Sequence, residues 1–535
     1  MIPKTTIGRR SFLGGAAIAL GGAISPARAG GKAESAGSIV TTSSGRLRGA
    51  MDNKVHVFKG VPYGASTAGA GRFMPPAKVQ PWTGVRDALE FGPASPEQPS
   101  HLIPESMAQQ PASDAHGTED CLHLNVWTPG LNGKRPVMVW YHGGGYSAGS
   151  ANWNMYNGAN LAAKHDVVVV TVNHRLNVFG YLYLAGLGGE KYAQSSNLGM
   201  LDLIASLAWV RDNIAQFGGD PGNVTIFGQS GGGGKVSTLL AMPAAQGLFH
   251  RAIAMSGSEV RGVPVDRANK SSEAFLATLG LKPSQLDELQ AMPQTQLLDA
   301  MRATKGLQLA PVVDGRTLPA NPFDPTAPAM SANVPFLIGS TETEVTWFGT
   351  PSFDPLTDEQ LQNRIQETLH LDGDAASKLI ATYRKGRPQA NNLDLFFILS
   401  TDTGFRVGID TETERKAALA KAPVYRYYFQ WYSPVRNGQL RSYHTLDIPF
   451  VFENVDIAES MVGSSPERYP LADKMSGAWA AFARTGNPNY KGLPKWHPFD
   501  ANNRATMIFN NECKAVNDPY REERLERAAL LPKRA

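Results

Sequence analysis

The stretch VTIFGQSGGGGKV, Val224 to Val236, constrains the fold most, because it sets a lone serine among five glycines directly after an apolar run. It can be parsed in two ways. A phosphate-binding loop needs G-x-x-x-x-G-K-[ST], so that backbone N–H groups wrap the phosphates and the last hydroxyl holds a cation. Counting back from Lys235, the first glycine falls on Gln229, and Val236 stands where Ser or Thr is required. A G-x-S-x-G elbow instead needs a buried strand leading in, small residues around the serine and a helix leading out. Val224-Thr225-Ile226-Phe227 is β-branched and apolar, Gly228-Gln229-Ser230-Gly231-Gly232 supplies the turn, and Val236 to Met242 can carry a helix. The stretch therefore reads as a nucleophile elbow at Ser230.

Strand-like runs recur at Pro136 to Tyr141, Val167 to Val172, Ala252 to Met255, Val334 to Ile338 and Pro423 to Phe429. Between them lie helical patterns such as Leu201 to Phe217, with Ile204, Leu207, Ala208 and Ile214 at helical spacing. This alternation predicts an α/β fold with a large, mostly parallel central sheet. Ligands bind beyond the carboxyl ends of such strands, where Ser230 would sit. His142-Gly143-Gly144-Gly145-Tyr146 follows the first of these runs. Glycines there allow backbone N–H groups to approach a developing oxyanion.

The first 29 residues carry Arg9-Arg10, then Phe12 and Leu13, a Gly- and Ala-rich apolar run to Ile24, and Ala27-Arg28-Ala29. This is the pattern of a twin-arginine export signal with cleavage after Ala29, and it implies a folded chain delivered to the periplasm or beyond. The run is shorter than the roughly 20 residues of a spanning helix, so no stable membrane anchor is expected. The formal charge of +4 is carried by Lys4, Arg9, Arg10 and Arg28; without them the net charge is near zero, which gives no reason to expect nucleic acid as a partner. With 42% hydrophobic and 18% charged residues and no repeat or Pro/Ser-rich linker, residues 30–535 read as one large domain. Cys121 and Cys513 are too remote in sequence for their spacing to establish a pair, and there is no H-E-x-x-H or other metal-ligand spacing. Neither a metal nor another cofactor is expected.

Together, Phe58-Lys-Gly-Val-Pro-Tyr63, Glu119-Asp-Cys-Leu-His-Leu-Asn-Val-Trp127, Phe217-Gly-Gly-Asp-Pro221 and Phe482-Ala-Arg-Thr-Gly-Asn-Pro488 resemble the type-B carboxylesterases, the α/β-hydrolases that include the cholinesterases. The resemblance implies an α/β-hydrolase fold whose loop and helical insertions form a substrate gorge. It implies a small-molecule ester as partner, and a Ser-Glu-His triad of Ser230, Glu344 and His444. Glu344 lies in Gly339-Ser-Thr-Glu-Thr-Glu344-Val, where Glu342 is the competing carboxylate, and His444 opens His444-Thr-Leu-Asp-Ile-Pro-Phe-Val-Phe452. By the same pattern Gly144, Gly145 and Gly231 give the oxyanion donors, and Gln229, Tyr146, Trp347 and Phe348 line the pocket. The family elbow usually reads G-E-S-A-G, so Gln229 removes a carboxylate beside the nucleophile. Ser95 stands where the family's disulfide partner of Cys121 would be expected. With no Phe, Trp or Tyr between Pro96 and Gly117, a neutral aryl or short-chain ester is expected ahead of a choline ester. Amides, carbamates and lactones would use the same parts. A cholinesterase-like binding protein would have no need of the three triad residues together.

Overall fold

The computed structural model describes residues 37–97, 104–110, 117–348 and 352–530. The export pattern at residues 1–29 lies outside them, as do parts of the loop between Pro96 and Gly117. Eleven strands form the main sheet: β1 (Ala50–Asp52), β2 (Val55–Pro62), β3 (His123–Thr128), β4 (Arg135–Tyr141), β5 (Val168–Val172), β6 (Gly219–Gln229), β7 (Arg251–Met255), β8 (Phe336–Thr341), β9 (Val424–Phe429), β10 (Ala505–Phe509) and β11 (Lys514–Asn517). Across the sheet the order is β11-β10-β9-β8-β7-β6-β4-β5-β3-β2-β1. The strands from β4 to β10 run parallel, and β1 to β3 and β11 add antiparallel edges. The mostly parallel α/β sheet expected from the sequence is therefore present. The run at Val334 begins pairing two residues late, at Phe336, because Pro335 has no N–H to give the ladder.

A parallel sheet needs both faces covered, and strand periodicity shares the apolar residues between them. On β4, Val137, Val139 and Tyr141 join one core cluster, whereas Met138 and Trp140 join the other. The first cluster receives helix α1 (Leu198–Asn213) through Leu203, Leu207 and Val210, and helix α2 (Gly231–Leu239) through Val236 and Leu239. The second receives helix α3 (Arg468–Thr485) through Leu471, Met475, Trp479 and Phe482, again at helical spacing. Each fully buried Leu or Phe on these faces stabilises the fold by about 1.5–3 kcal/mol. The sheet is thereby held rigidly, and the carboxyl ends of β4, β6, β7 and β8 are fixed side by side.

Helix α2 starts with four consecutive glycines, which would weaken an isolated helix. Here they are required by close approach. A Cβ on Gly232 would collide with the Tyr141 carbonyl, and one on Gly233 would come within 3.0 Å of the Gly257 backbone. Substituting Gly232 would push α2 off the end of β4, and with it Ser230 at its N-cap, whereas substituting Gly233 would require the Gly257 backbone to give way by a few tenths of an ångström. Among the described residues no helix is long and apolar enough to cross a membrane.

Candidate active site

Ser230 is the residue on which β6 turns into α2, and its backbone sits at φ 58°, ψ −125°. For a residue with a Cβ this conformation costs on the order of 1–3 kcal/mol and persists only where the surroundings impose it. They do so through two hydrogen bonds: the Ser230 N–H donates to the Met255 carbonyl at 2.8 Å, and its carbonyl accepts from Gly234 N–H at 3.0 Å. Gly228 and Gly257 are crowded so closely that a Cβ on either would strike neighbouring backbone. The elbow expected from the sequence is thus a strained turn locked by its neighbours.

Of the two carboxylates after β8, the structure brings Glu344 to His444. His444 Nδ1 lies 2.5 Å from Glu344 Oε2, and both side chains are buried. Glu344 Oε1 accepts the Thr341 N–H at 2.9 Å, which fixes the carboxylate in that orientation. Glu342 points elsewhere, taking hydrogen bonds from Arg387 (2.5 Å), Gln430 (2.6 Å) and Tyr432 (2.9 Å). Beyond the pair, Asp447 accepts the Tyr427 hydroxyl at 2.8 Å. Burial first, then the nearby Glu344 charge, push Asp447 up to about 7. Ser230 and His444 border the same cavity, in which the Gln229 amide nitrogen, rather than the serine hydroxyl, lies 3.3 Å from His444 Nε2. Hydroxyl–imidazole contacts of this kind commonly close only with substrate in place.

The His142 to Tyr146 loop after β4 takes left-handed backbone at Gly144 (φ 87°) and Gly145 (φ 63°). The Gly144 carbonyl accepts from Ala148 N–H at 3.1 Å and closes the turn. Gly145 packs so tightly against Gly231 that a Cβ there would collide with the Gly145 carbonyl. This contact explains why the elbow carries glycine where alanine is usual. Behind the loop Lys235 donates to the His142 carbonyl at 3.0 Å, and burial brings its ammonium down to about 7.

The cavity beside His444 measures about 220 Å³. Gln229, Trp347 and Phe348 border it as expected, and so do Trp153 and Tyr156, which the sequence reading missed. Both missed rings lie on the loop beyond Gly143 to Gly145, at and just before the short turn Asn154–Tyr156; an aromatic pair three residues apart was the signal available there. Trp347 also belongs to the core, donating its indole N–H to Ser106 at 3.0 Å and meeting the His444 ring edge-on at 5.5 Å. Tyr146 does not border this cavity. It borders a second one of about 270 Å³ on the other side of Ser230, where its hydroxyl donates to Glu259 at 2.5 Å.

Cys121 and Cys513 are buried and unpaired. Ser95 hydrogen-bonds to Cys121, so the position resembling the family's disulfide partner is indeed beside it. Among the described residues no group of three or more His, Cys, Asp or Glu side chains could hold a metal ion.

Residues 36–528 match the family model described as "Carboxylesterase family". The chain is 38% identical over 503 residues to the para-nitrobenzyl esterase of Bacillus subtilis (strain 168), covering 91% of this chain and 97% of that protein. It is 32% identical over 501 residues to the phenmedipham hydrolase of Pseudarthrobacter oxydans, covering 89% and 96%. Among solved structures, an esterase from Clostridium hathewayi described as able to hydrolyze aliphatic aromatic polyesters superposes with a TM-score of 0.80 at 34% identity, covering 92% of this chain and 98% of that one. With an eleven-stranded sheet flanked by helices and this likeness along nearly its whole length, the chain belongs to the carboxylesterase family, has the α/β-hydrolase fold and is a carboxylic-ester hydrolase.

Proposed function

We propose that Ser230 is the nucleophile of an acyl-enzyme mechanism, with His444 as its general base and acid and Glu344 as the residue that orients the imidazole. The Glu344–His444 contact of 2.5 Å beside the strained serine carries this reading. As Ser230 Oγ bonds to the ester carbonyl carbon, its proton passes to His444 Nε2, and Glu344 steadies the imidazolium. The negative charge on the carbonyl oxygen falls to the N–H groups of Gly144, Gly145 and Gly231; loss of one such donor raises a barrier by about 3 kcal/mol. The C–O bond then breaks and His444 gives its proton to the leaving alcohol. Water, deprotonated by the same imidazole, releases the acid and restores the serine.

A fluorophosphonate probe tests this, because an activated serine attacks phosphorus as it attacks carbonyl carbon. Labelling is expected on the tryptic peptide Asp212 to Lys235, at Ser230. An adduct elsewhere, or none on enzyme that still turns over ester, overturns the assignment.

For the substrate, the flat walls offered by Trp153, Tyr156, Trp347 and Phe348 favour a neutral aryl or short-chain ester. A relative named for p-nitrobenzyl esters supports the same class. Gln229 supplies no charge to hold a cation. Neutral aryl esters are therefore expected to give higher kcat/KM than choline esters of equal size. Trp347→Ala is expected to narrow that ratio by about tenfold through lost ring contact. A choline preference in the wild type, or an unchanged ratio in the variant, would refute this preference. The Arg9-Arg10 signal pattern supports placing the activity in the periplasm or outside the cell.

A further inference from the structure

Ser230 stands between two cavities of different chemistry. The first is walled by aromatic rings and borders His444; the second is bordered by Ser256, Ser258, Glu259, Tyr146 and Phe405. If His444 returns its proton to the leaving alcohol, as proposed above, the alcohol must occupy the first cavity. The acyl chain is then left to the second.

That second wall is polar in a way an alkyl chain cannot satisfy. Among the described residues no guanidinium or ammonium pairs with Glu259, and its carboxyl receives only the Tyr146 hydroxyl, at 2.5 Å. Glu259 N–H donates to Glu412 at 2.6 Å, which pins the backbone beneath the carboxyl. Glu259 is partly exposed, and covering its carboxyl with an acyl chain dehydrates it at a cost unless that chain supplies a donor in place of the water. The carboxyl lies beside Gly234, whose added Cβ would be 3.5 Å from Glu259 Oε2, one turn of α2 beyond Ser230.

We propose that the second cavity is a polar acyl subsite, in which Glu259 selects esters whose acyl chain carries a hydrogen-bond donor, a hydroxyl or an ammonium group. The chain must span about one helical turn, roughly 5 Å, to present that donor. Burial raises the Glu259 carboxyl to about 7. Neutral or ionised, it keeps an oxygen able to accept. An acyl chain with a methyl in place of the donor leaves the Glu259 carboxyl facing hydrocarbon. Sites of this kind reject analogues lacking the donor far more strongly than apolar pockets reject a missing methylene.

The test compares p-nitrophenyl 6-hydroxyhexanoate with its isostere p-nitrophenyl heptanoate, using p-nitrophenyl acetate as the reference for acyl transfer. The wild type is expected to favour the hydroxyacyl ester in kcat/KM by about tenfold or more. Glu259→Leu is expected to abolish or invert that ratio, and Glu259→Gln, which keeps an acceptor, to retain most of it. A wild-type ratio at or below one overturns the proposal, as does an unchanged ratio in Glu259→Leu; should the leucine variant not fold, the wild-type ratio decides alone. The inference rests on Ser230 as nucleophile, yet the two fail separately. A flat ratio with acetate turnover and Ser230 labelling intact rejects only the acyl subsite, whereas absent labelling rejects the mechanism.

Discussion

Replacing Ser230 by alanine is expected to lower kcat by on the order of 10⁵-fold or more while leaving the fold intact. The hydroxyl is the only group removed, and what remains is substrate binding and the backbone donors, which by themselves support a residual rate of about 10³–10⁴ over water. Alanine has the same Cβ as serine, so it carries the same penalty at φ 58° and should melt within a few degrees of the wild type. Glycine at the same position has no such penalty. Ser230→Gly is therefore expected to be inactive and more stable than Ser230→Ala by about 1 kcal/mol. Thermal melts of both variants beside steady-state assays check this. An active Ser230→Ala protein would remove Ser230 from the chemistry, and a glycine variant no more stable than the alanine one would mean that the elbow is unstrained.

The strain also explains which parts of the site were legible. The elbow and the glycine loop after β4 are written locally, since only glycine allows backbone to pass within contact distance of backbone, and Gly232, Gly257 and Gly231 are such points. The central strands were legible because two-sided burial leaves runs such as Val168 to Val172 with almost no polar residue. Pairing direction at the edges was not, because β1 and β11 are short, largely exposed and lack that signature. Choosing between Glu342 and Glu344 needed tertiary partners, since the two share one turn and one chemistry. The same holds for Tyr146: its place after Gly143 to Gly145 suggested the aromatic cavity, but the tight turn at Gly144 and Gly145 carries its ring to the other side of Ser230, onto Glu259. Glu259 lacks a motif altogether. Its one signal is position, four residues past the carboxyl end of a central parallel strand, where such sheets gather their ligand-binding side chains.

The two carboxylates after β8 should separate activity from stability when each is changed to its amide. Glu344→Gln is expected to lower kcat by about 10⁴-fold, because an amide facing Nδ1 favours the wrong tautomer and cannot steady the imidazolium. It should barely affect stability, since the amide keeps an acceptor for the Thr341 N–H and the shape of the site is unchanged. Glu342→Gln is expected to do the reverse. Its carboxylate answers the buried charge of Arg387 and accepts from Gln430 and Tyr432, none of which touches His444. Removing one charge from a buried pair is costly, up to about 3–5 kcal/mol where the partner is stranded. Arg387 is not stranded, because Glu523 still holds it at 3.0 Å, so a loss of about 1–3 kcal/mol is expected, with kcat within tenfold of wild type. Paired denaturation curves and rates on one ester decide the matter. If Glu342→Gln loses turnover while Glu344→Gln retains it, the acid belongs to Glu342 and the 2.5 Å contact with His444 is structural.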